Sequence, residues 1–269
     1  MNVRNVVIVT KPKQPEVARV AGELVQWFRA RNVMASLEPQ AASTADLAVV
    51  LGGDGTLLAA ARVLGDRQVP IVAINYGGLG FLTEVTLSEM YPSLEVVLAG
   101  KFVTEQRMMM DLHVSRADKR LADYRALNDV VINKGTLSRM IELEARVDGQ
   151  YVSRFRADGL IVSTPTGSTA YNISAGGPII FPTMSAMVVT PICSHTLTNR
   201  PIVLPEHVQI AIMLRSAQDD VYITIDGQVG LKLQMGDHIV VVKSDVSVKL
   251  VAPADKNYFD VLRGKLKWG

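Results

Sequence analysis

Cysteine is nearly absent: Cys193 is the one thiol in 269 residues. A single thiol excludes an intramolecular disulfide and a four-cysteine zinc site. It fits a reducing compartment. A dominant charge is missing too, with 28 Lys and Arg against 26 Asp and Glu and a formal net charge of +2. That balance argues against a protein that works by neutralising a nucleic-acid backbone. No apolar run approaches the roughly 18 residues of a membrane span, and the longest stretches are cut by Pro182 and Pro191. The opening Met1-Asn2-Val3-Arg4-Asn5 runs straight into Val6-Val7-Ile8-Val9. It has no long apolar core and no small-residue cleavage site, so no secretory signal is read. A soluble, cytoplasmic protein with no membrane or nucleic-acid partner is the expectation. Repeats, low-complexity tracts and a disordered tail are also lacking.

What is present is ample apolar material. Hydrophobic residues make up 48% of the chain, and a chain of this length buries about 70% or more of its unfolded surface. Intrinsic disorder is excluded. At roughly 150 residues per domain the length suggests about two domains.

The pattern changes near residue 105. Before it, strand and helix alternate. Residues 5–10 are a short apolar strand. Residues 16–31 are helical, with Val17, Val20, Ala21, Leu24, Trp27 and Phe28 at helical spacing. Residues 46–51 form a second strand that ends in Gly52-Gly53-Asp54-Gly55-Thr56, with a helix after it. Residues 69–75 form a third, ending in Asn75-Tyr76-Gly77-Gly78-Leu79-Gly80. Thr86 and Glu89 are spaced as a capping box before another helix. Such alternation implies a parallel sheet with helices on its faces, and ligands bind such sheets at the carboxyl ends of the strands. Both glycine-rich turns lie there.

After residue 105 the chain reads as nearly all strand. Residues 140–147 and 150–155 flank Asp148-Gly149, a two-residue hairpin signal. Residues 208–214, 221–226, 228–233, 238–243 and 246–251 continue the pattern, with Asp226-Gly227 as a second candidate turn. This suggests a β-sandwich or a related layered sheet. The last segment, 258–268, is helical by pattern. The expected division is residues 1–105 plus about 252–269 as an α/β nucleotide-binding domain, and 106–251 as a β-rich domain.

Three clusters carry chemistry. In Gly52-Gly53-Asp54-Gly55-Thr56 the glycines admit a phosphate and the helix start offers amides to it. The motif is neither a P-loop nor G-x-G-x-x-G. Its carboxylate, Asp54, opposes phosphate binding and so needs a reason. It either accepts a proton from an attacking hydroxyl or holds Mg²⁺ between phosphates, unless it only caps the helix. The second cluster is Thr164-Pro165-Thr166-Gly167-Ser168-Thr169-Ala170-Tyr171, followed by Asn172-Ile173-Ser174. Its hydroxyls, glycine and ring suit a nucleotide; the plainer alternative is a polar loop capped into a helix. The third is Asn128-Asp129 at a strand entry. There the amide can read an adenine edge and the carboxylate can hold ribose hydroxyls, or the pair is a simple turn.

These blocks, in this order, are diagnostic together. Gly-Gly-Asp-Gly-Thr, Asn75 to Thr83, Asn128-Asp129, and Asp158-Gly159-Leu160 running into Thr164 to Tyr171 resemble the bacterial NAD kinase family over essentially the whole chain. Pro191, His195-Thr196-Leu197, Arg200-Pro201 and Tyr258-Phe259 with Leu262 look like the same family. The Thr-Pro-Thr-Gly-Ser-Thr-Ala-Tyr block discriminates, because diacylglycerol kinases also carry Gly-Gly-Asp-Gly-Thr.

The resemblance implies phosphorylation of the 2′-hydroxyl of the adenosine ribose of NAD, giving NADP. The donor is ATP or polyphosphate, with Mg²⁺ brought by the donor rather than by a protein cage. It implies a Rossmann-like first domain completed by the returning C-terminal tail, and a homotetramer or homodimer. Asp54 becomes the base, and Gly52, Gly53, Gly55 and Thr56 the phosphate-binding turn. Asp54, Gly55, Asn128, Asp129, Thr166, Thr169, Ala170 and Tyr171 become NAD contacts, with Asn172, Ile173 and Ser174 extending the wall. Asp158 matches an aspartate that reaches NAD across a subunit interface, and Arg139, Arg156 and Gln228 fall near NAD contacts. The family more usually has Glu at position 129, so ribose contact by the shorter Asp129 is the weaker expectation. A lipid kinase and a non-catalytic dinucleotide sensor remain as alternatives. The latter would have no need of Asp54. His113, His207 and His238 are expected as packed or surface residues and His195 as a structural hydrogen-bonding one. Met108-Met109-Met110 are expected to fill core, and Cys193 to be a buried, inert thiol.

Overall fold

A computed structural model describes residues 3–11, 14–78, 80–135, 139–194, 198–217, 220–252 and 257–268. The chain divides into two compact units, Met1–Gln106 with Val248–Gly269, and Arg107–Ser247.

The first unit alternates as the sequence predicts. It contains β1 (Asn5–Thr10), α1 (Pro15–Arg29), β2 (Met34–Ser36), β3 (Leu47–Gly52), α2 (Asp54–Leu64), β4 (Pro70–Asn75), β5 (Val85–Thr86) and α3 (Met90–Leu98). The order β4-β3-β1-β2 is parallel throughout. Every residue of β3 and β4 is buried, as expected of strands covered on both faces. α1 starts with Pro15 in its first turn and buries Val17, Val20, Ala21, Leu24 and Phe28. Glu89 accepts from the Thr86 amide at 2.8 Å and from its hydroxyl at 2.8 Å. The expected capping box is thus half present, in the Glu89 bond to the Thr86 amide, and corrected in its other half. The Thr86 oxygen donates instead of accepting, and α3 begins one turn later.

Among the described residues the second unit is built of strands but for two short helical turns, at Thr166–Thr169 and Tyr171–Ser174. Its elements are β6 (Thr104–Arg116), β7 (Lys119–Ala126), β8 (Asp129–Lys134), β9 (Ile141–Val147), β10 (Gln150–Ala157), β11 (Gly159–Ser163), α4 (Tyr171–Ser174), β12 (Ala186–Ile192), β13 (Ile202–Pro205), β14 (Ile210–Leu214), β15 (Val221–Ile225), β16 (Val229–Leu233) and β17 (His238–Val251). One sheet runs β13-β12-β11-β8-β15-β16, and a second layer runs β10-β9-β14-β17. A single apolar cluster joins the layers. Leu160, Val130 and Ile223 come from the first, Leu143, Ile212 and Val241 from the second, and Met110 from β6. Asp148-Gly149 (φ 48° and 77°) is the expected two-residue turn, with Gln150 paired to Val147. Asp226-Gly227 is left-handed too (φ 51° and 62°), but Ile225 pairs with Val229, so that expectation is corrected to the three-residue turn Asp226-Gly227-Gln228.

The expectation of separate strands at 238–243 and 246–251 is corrected to the single strand β17. Ser244 and Asp245 look like a turn, but one strand serves three partners, β6 among them. Its start pairs with β14, and its end, at Lys249 and Leu250, pairs with β4. The last helix, α5 (Tyr258–Leu266), belongs to the first unit and is entered by a capping box of Asn257 and Asp260. Cys193 is exposed, not buried. It has φ 47° just after β12 ends, where the chain leaves the sheet. Met109 and Met110 are buried, while Met108 packs partly buried on the same core.

Candidate active site

In the first unit β3 and β4 run side by side, with Gly52 opposite Asn75, so both glycine turns leave the sheet at one edge. α2 begins at Asp54 directly after Gly53, which places the positive end of the helix at this turn. The Asp54 carboxylate is tied down by the second turn. Its Oδ2 accepts from the Phe81 amide at 2.9 Å, and its Oδ1 accepts from the Leu82 and Thr83 amides and the Thr83 hydroxyl, each at 3.1 Å. Asn75, itself buried, holds that turn by donating to Gly78 O (3.0 Å), Thr83 O (3.2 Å) and Thr83 Oγ1 (2.8 Å). Position 80 has no room for a side chain, because a Cβ there would strike Asp54 Oδ1 and Thr83 Oγ1. Asp54 is therefore fixed in one orientation before any ligand arrives. It does not cap α2, which has no side-chain cap at Gly53. Thr56 is buried, with its side chain against Gly52, whereas Gly55 is exposed.

In the second unit the Thr164 to Tyr171 block folds back over the start of β8. The Thr164 hydroxyl donates to Leu127 O and accepts from the Gly167 amide at 3.0 Å. A Cβ at Gly167 would strike the Asn128 carbonyl, so glycine is what allows the two segments to touch. Two buried polar atoms have no partner here, Asn128 Oδ1 and Thr166 Oγ1. Buried polar groups are almost always satisfied, so the pair is what a bound water or a polar ligand would meet. Beside them, Asp129 is 4% exposed. Burial first, and then the negative charge of Asp226, push its carboxyl up to about 7, against the pull of a hydrogen bond from the Tyr171 amide. The Tyr171 ring is 40% exposed and available for stacking. Thr169 is buried and its hydroxyl donates to Thr166 O at 3.3 Å. Ala170 and Ile173 are half-buried and Ser174 is exposed.

Asn172 is a different case. It is fully buried, its amide donates to Ser168 O and Pro178 O at 3.0 Å each, and its oxygen accepts from Thr190 at 2.6 Å. Its side chain braces the loop and has nothing left for a ligand. The remaining candidates lie on the surface. Asp158 sits between β10 and β11 and pairs with Lys134 at 3.4 Å. Arg156 is 60% exposed and pairs with Glu142 at 3.5 Å. Arg139 and Gln228 are exposed, with the Gln228 amide donating to Ile225 O to close the turn. His195 lies outside the described residues. His113 pairs with Asp123 at 2.8 Å on the surface. Two contributors were not singled out by sequence reasoning, namely the amides of residues 81–83 and the carboxylate of Asp226. Residues 81–83 stood at the end of the Asn75 to Thr83 block with no role of their own, and nothing local marked the carboxylate of Asp226.

Two family models match the chain, the ATP-NAD kinase N-terminal domain over residues 29–102 and the ATP-NAD kinase C-terminal domain over residues 127–252. The NAD kinase of Geotalea daltonii is 49% identical, with 99% of each chain covered. That of Geobacter sulfurreducens is 47% identical over the same share. Among solved structures, yeast NADH kinase complexed with NADH superposes with TM-score 0.92 at 25% identity, covering 100% of this chain and 88% of that one. An NAD kinase from Archaeoglobus fulgidus in complex with ATP gives TM-score 0.80 at 27% identity, covering 98% and 100%.

Proposed function

The chain belongs to the NAD kinase family and phosphorylates NAD, and on that premise we propose how its residues divide the work. The adenosine of NAD binds in the second unit. Asn128 Oδ1 and Thr166 Oγ1 are the unpartnered atoms that would meet the adenine edge and sugar, Asp129 would accept from a ribose hydroxyl, and the Tyr171 ring would cover the base. The glycine turn at Gly52, Gly53 and Gly55, with the start of α2, would take the donor's phosphates.

Phosphoryl transfer is mostly positioning plus electrostatic stabilisation. The 2′-oxygen of the ribose bonds to the terminal phosphorus of ATP, the bond from that phosphorus to the ADP oxygen breaks, and the hydroxyl proton passes to Asp54. NADP and ADP are the products. One observation supports Asp54 above the rest: both of its oxygens are already held by residues 81–83, inside a turn otherwise built for phosphate. A carboxylate so fixed beside the transferred phosphate would serve the reaction by accepting the hydroxyl proton.

No group of three His, Cys, Asp or Glu converges as a metal cage among the described residues. We infer that Mg²⁺ travels with the donor's phosphates. A homotetramer or homodimer, with Asp158 reaching the NAD of a neighbouring subunit, and a cytoplasmic setting complete the proposal. Among the described residues no helix is long and apolar enough to cross a membrane. The lipid-kinase and sensor readings are not favoured, because the matches run the whole chain and are NAD kinases.

The test is a crystal soaked with NAD. The ribose 2′-oxygen is expected within hydrogen-bond reach of Asp54, about 2.6–3.2 Å or through one water. A sugar beyond that reach would remove Asp54 as the base. A coupled assay with ATP or polyphosphate, and an NADP-specific dehydrogenase as reporter, settles the donor.

A further inference from the structure

The adenosine pocket depends on a residue that does not line it. Asp226 is 8% exposed and sits at the left-handed first position of the β15–β16 turn. Its Oδ1 accepts from the Asn128 amide at 2.7 Å and the Asp129 amide at 3.2 Å, and its Oδ2 accepts from the Leu127 amide at 3.1 Å. Three consecutive amides are thus gathered onto one carboxylate from about a hundred residues away. In return the Asp226 amide donates to Asp129 O at 2.9 Å, so the turn and the strand entry are locked in both directions.

Resting on the assignment of Asn128 and Asp129 to NAD, we propose that Asp226 is a positioning residue for the dinucleotide. It holds the Leu127-Asn128-Asp129 peptide in binding geometry, and its charge makes NAD capture depend on pH through Asp129. The three amides cannot be satisfied by the β8 ladder alone, because the ladder begins at Asp129. Without the carboxylate they would be buried donors lacking an acceptor, which is costly. Relaxation of that peptide would turn Asn128 Oδ1 away from its station.

The electrostatic half follows from what surrounds Asp129. β11 and the turn after it bring Ser163, Thr164 and Thr166, all neutral. α4 brings the Tyr171 amide and an exposed phenol. β15 and its turn bring Asp226 and the neutral Gln228. The cations on adjoining strands are engaged elsewhere, Arg125 with Asp111, Lys134 with Asp158 and Lys232 with Asp220. Among the described residues, the charge that acts on Asp129 is that of Asp226, and it is negative. A ribose hydroxyl donates best to an ionised acceptor, so capture strengthens as Asp129 loses its proton.

The experiment compares the full-length enzyme with Asp226→Asn. Asparagine tolerates left-handed backbone and keeps an acceptor for the Asn128 and Asp129 amides while removing the charge. kcat and KM for NAD and for ATP are measured from about pH 5.5 to 8.5, with a melting curve for each protein. In the wild type, kcat/KM for NAD is expected to fall as pH drops through about 7, where Asp129 gains its proton. In Asp226→Asn that inflection moves to lower pH. On the alkaline plateau KM for NAD rises about tenfold through the lost Leu127 contact, with kcat and KM for ATP within about threefold. A profile superimposable on the wild type, or equal losses in kcat and both KM values, would overturn the proposal. Asn128→Ala separates the two layers of the argument. If it leaves KM for NAD unchanged, the pocket assignment has failed. If it raises KM while Asp226→Asn leaves both the pH profile and KM for NAD unchanged, only the role of Asp226 has.

Discussion

Two aspartates at strand ends, one in each unit, live under opposite conditions. Asp54 is part-buried and ringed by four donors from residues 81–83. Asp129 is buried, receives one amide, and faces the carboxylate of Asp226. The first environment fixes an orientation; the second makes the charge itself costly. The same side chain therefore suits two tasks. A fixed carboxylate can meet a hydroxyl in one geometry, as proton transfer requires. A carboxylate poised near neutrality can join ligand capture to protonation.

Four substitutions break or sharpen that contrast. Asp54→Asn keeps size and removes the proton acceptor, so kcat is expected to fall about 10²–10⁴-fold while NAD binding, followed by calorimetry, is retained. Wild-type turnover would end the assignment. Gly80→Ala attacks orientation instead of charge, because the new Cβ displaces Asp54 and Thr83. A loss of about 10² in kcat is expected, since small misplacements at a reacting group cost that much. Circular dichroism should show the fold intact. In the other unit, Tyr171→Ala removes an exposed ring and should raise KM for NAD about tenfold, the worth of about 1.4 kcal/mol of stacking, with kcat little changed. Equal effects on both constants would argue against stacking.

The smallest effect is on stability. The carboxyl of Asp129 is raised in the folded protein, so the folded state holds its proton more tightly than the unfolded chain does. Its contribution is complete below the unfolded value near 4 and is lost as pH rises to about 7. Asp129→Asn carries no such loss. It should match the wild type in Tm at about pH 4 and exceed it at about pH 8, by about 2–4 °C for each kcal/mol recovered. An equal difference at both pH values would show that Asp129 does not titrate in this window.

Much of this was legible in the chain. Continuous apolar runs predict buried β3 and β4, and Asp148-Gly149 predicts its turn, because periodicity and turn chemistry are local. The candidate pocket residues at 128–129 and 164–171 stood out by their polar groups, and only the family resemblance gave them an NAD role. Local reading failed where distant partners decide. Ser244 and Asp245 suggest a break that β17 does not make, since the strand pairs with β14 before them and with β4 after them. Asn172 was expected in the pocket wall; its buried side chain braces the loop, because Ser168, Pro178 and Thr190 use both ends of its amide. Cys193 reads as buried and is exposed, since β12 ends just before it.

The sequence by itself determined the two-part architecture, the glycine turn with its acid, and the family, since each rests on order and spacing along the chain. Only the tertiary structure decided which way Asp54 points and that Asp129 lies beside Asp226. Hydrogen bonds to residues some thirty positions away, and a charge nearly a hundred positions away, act through space and leave no period or motif to read.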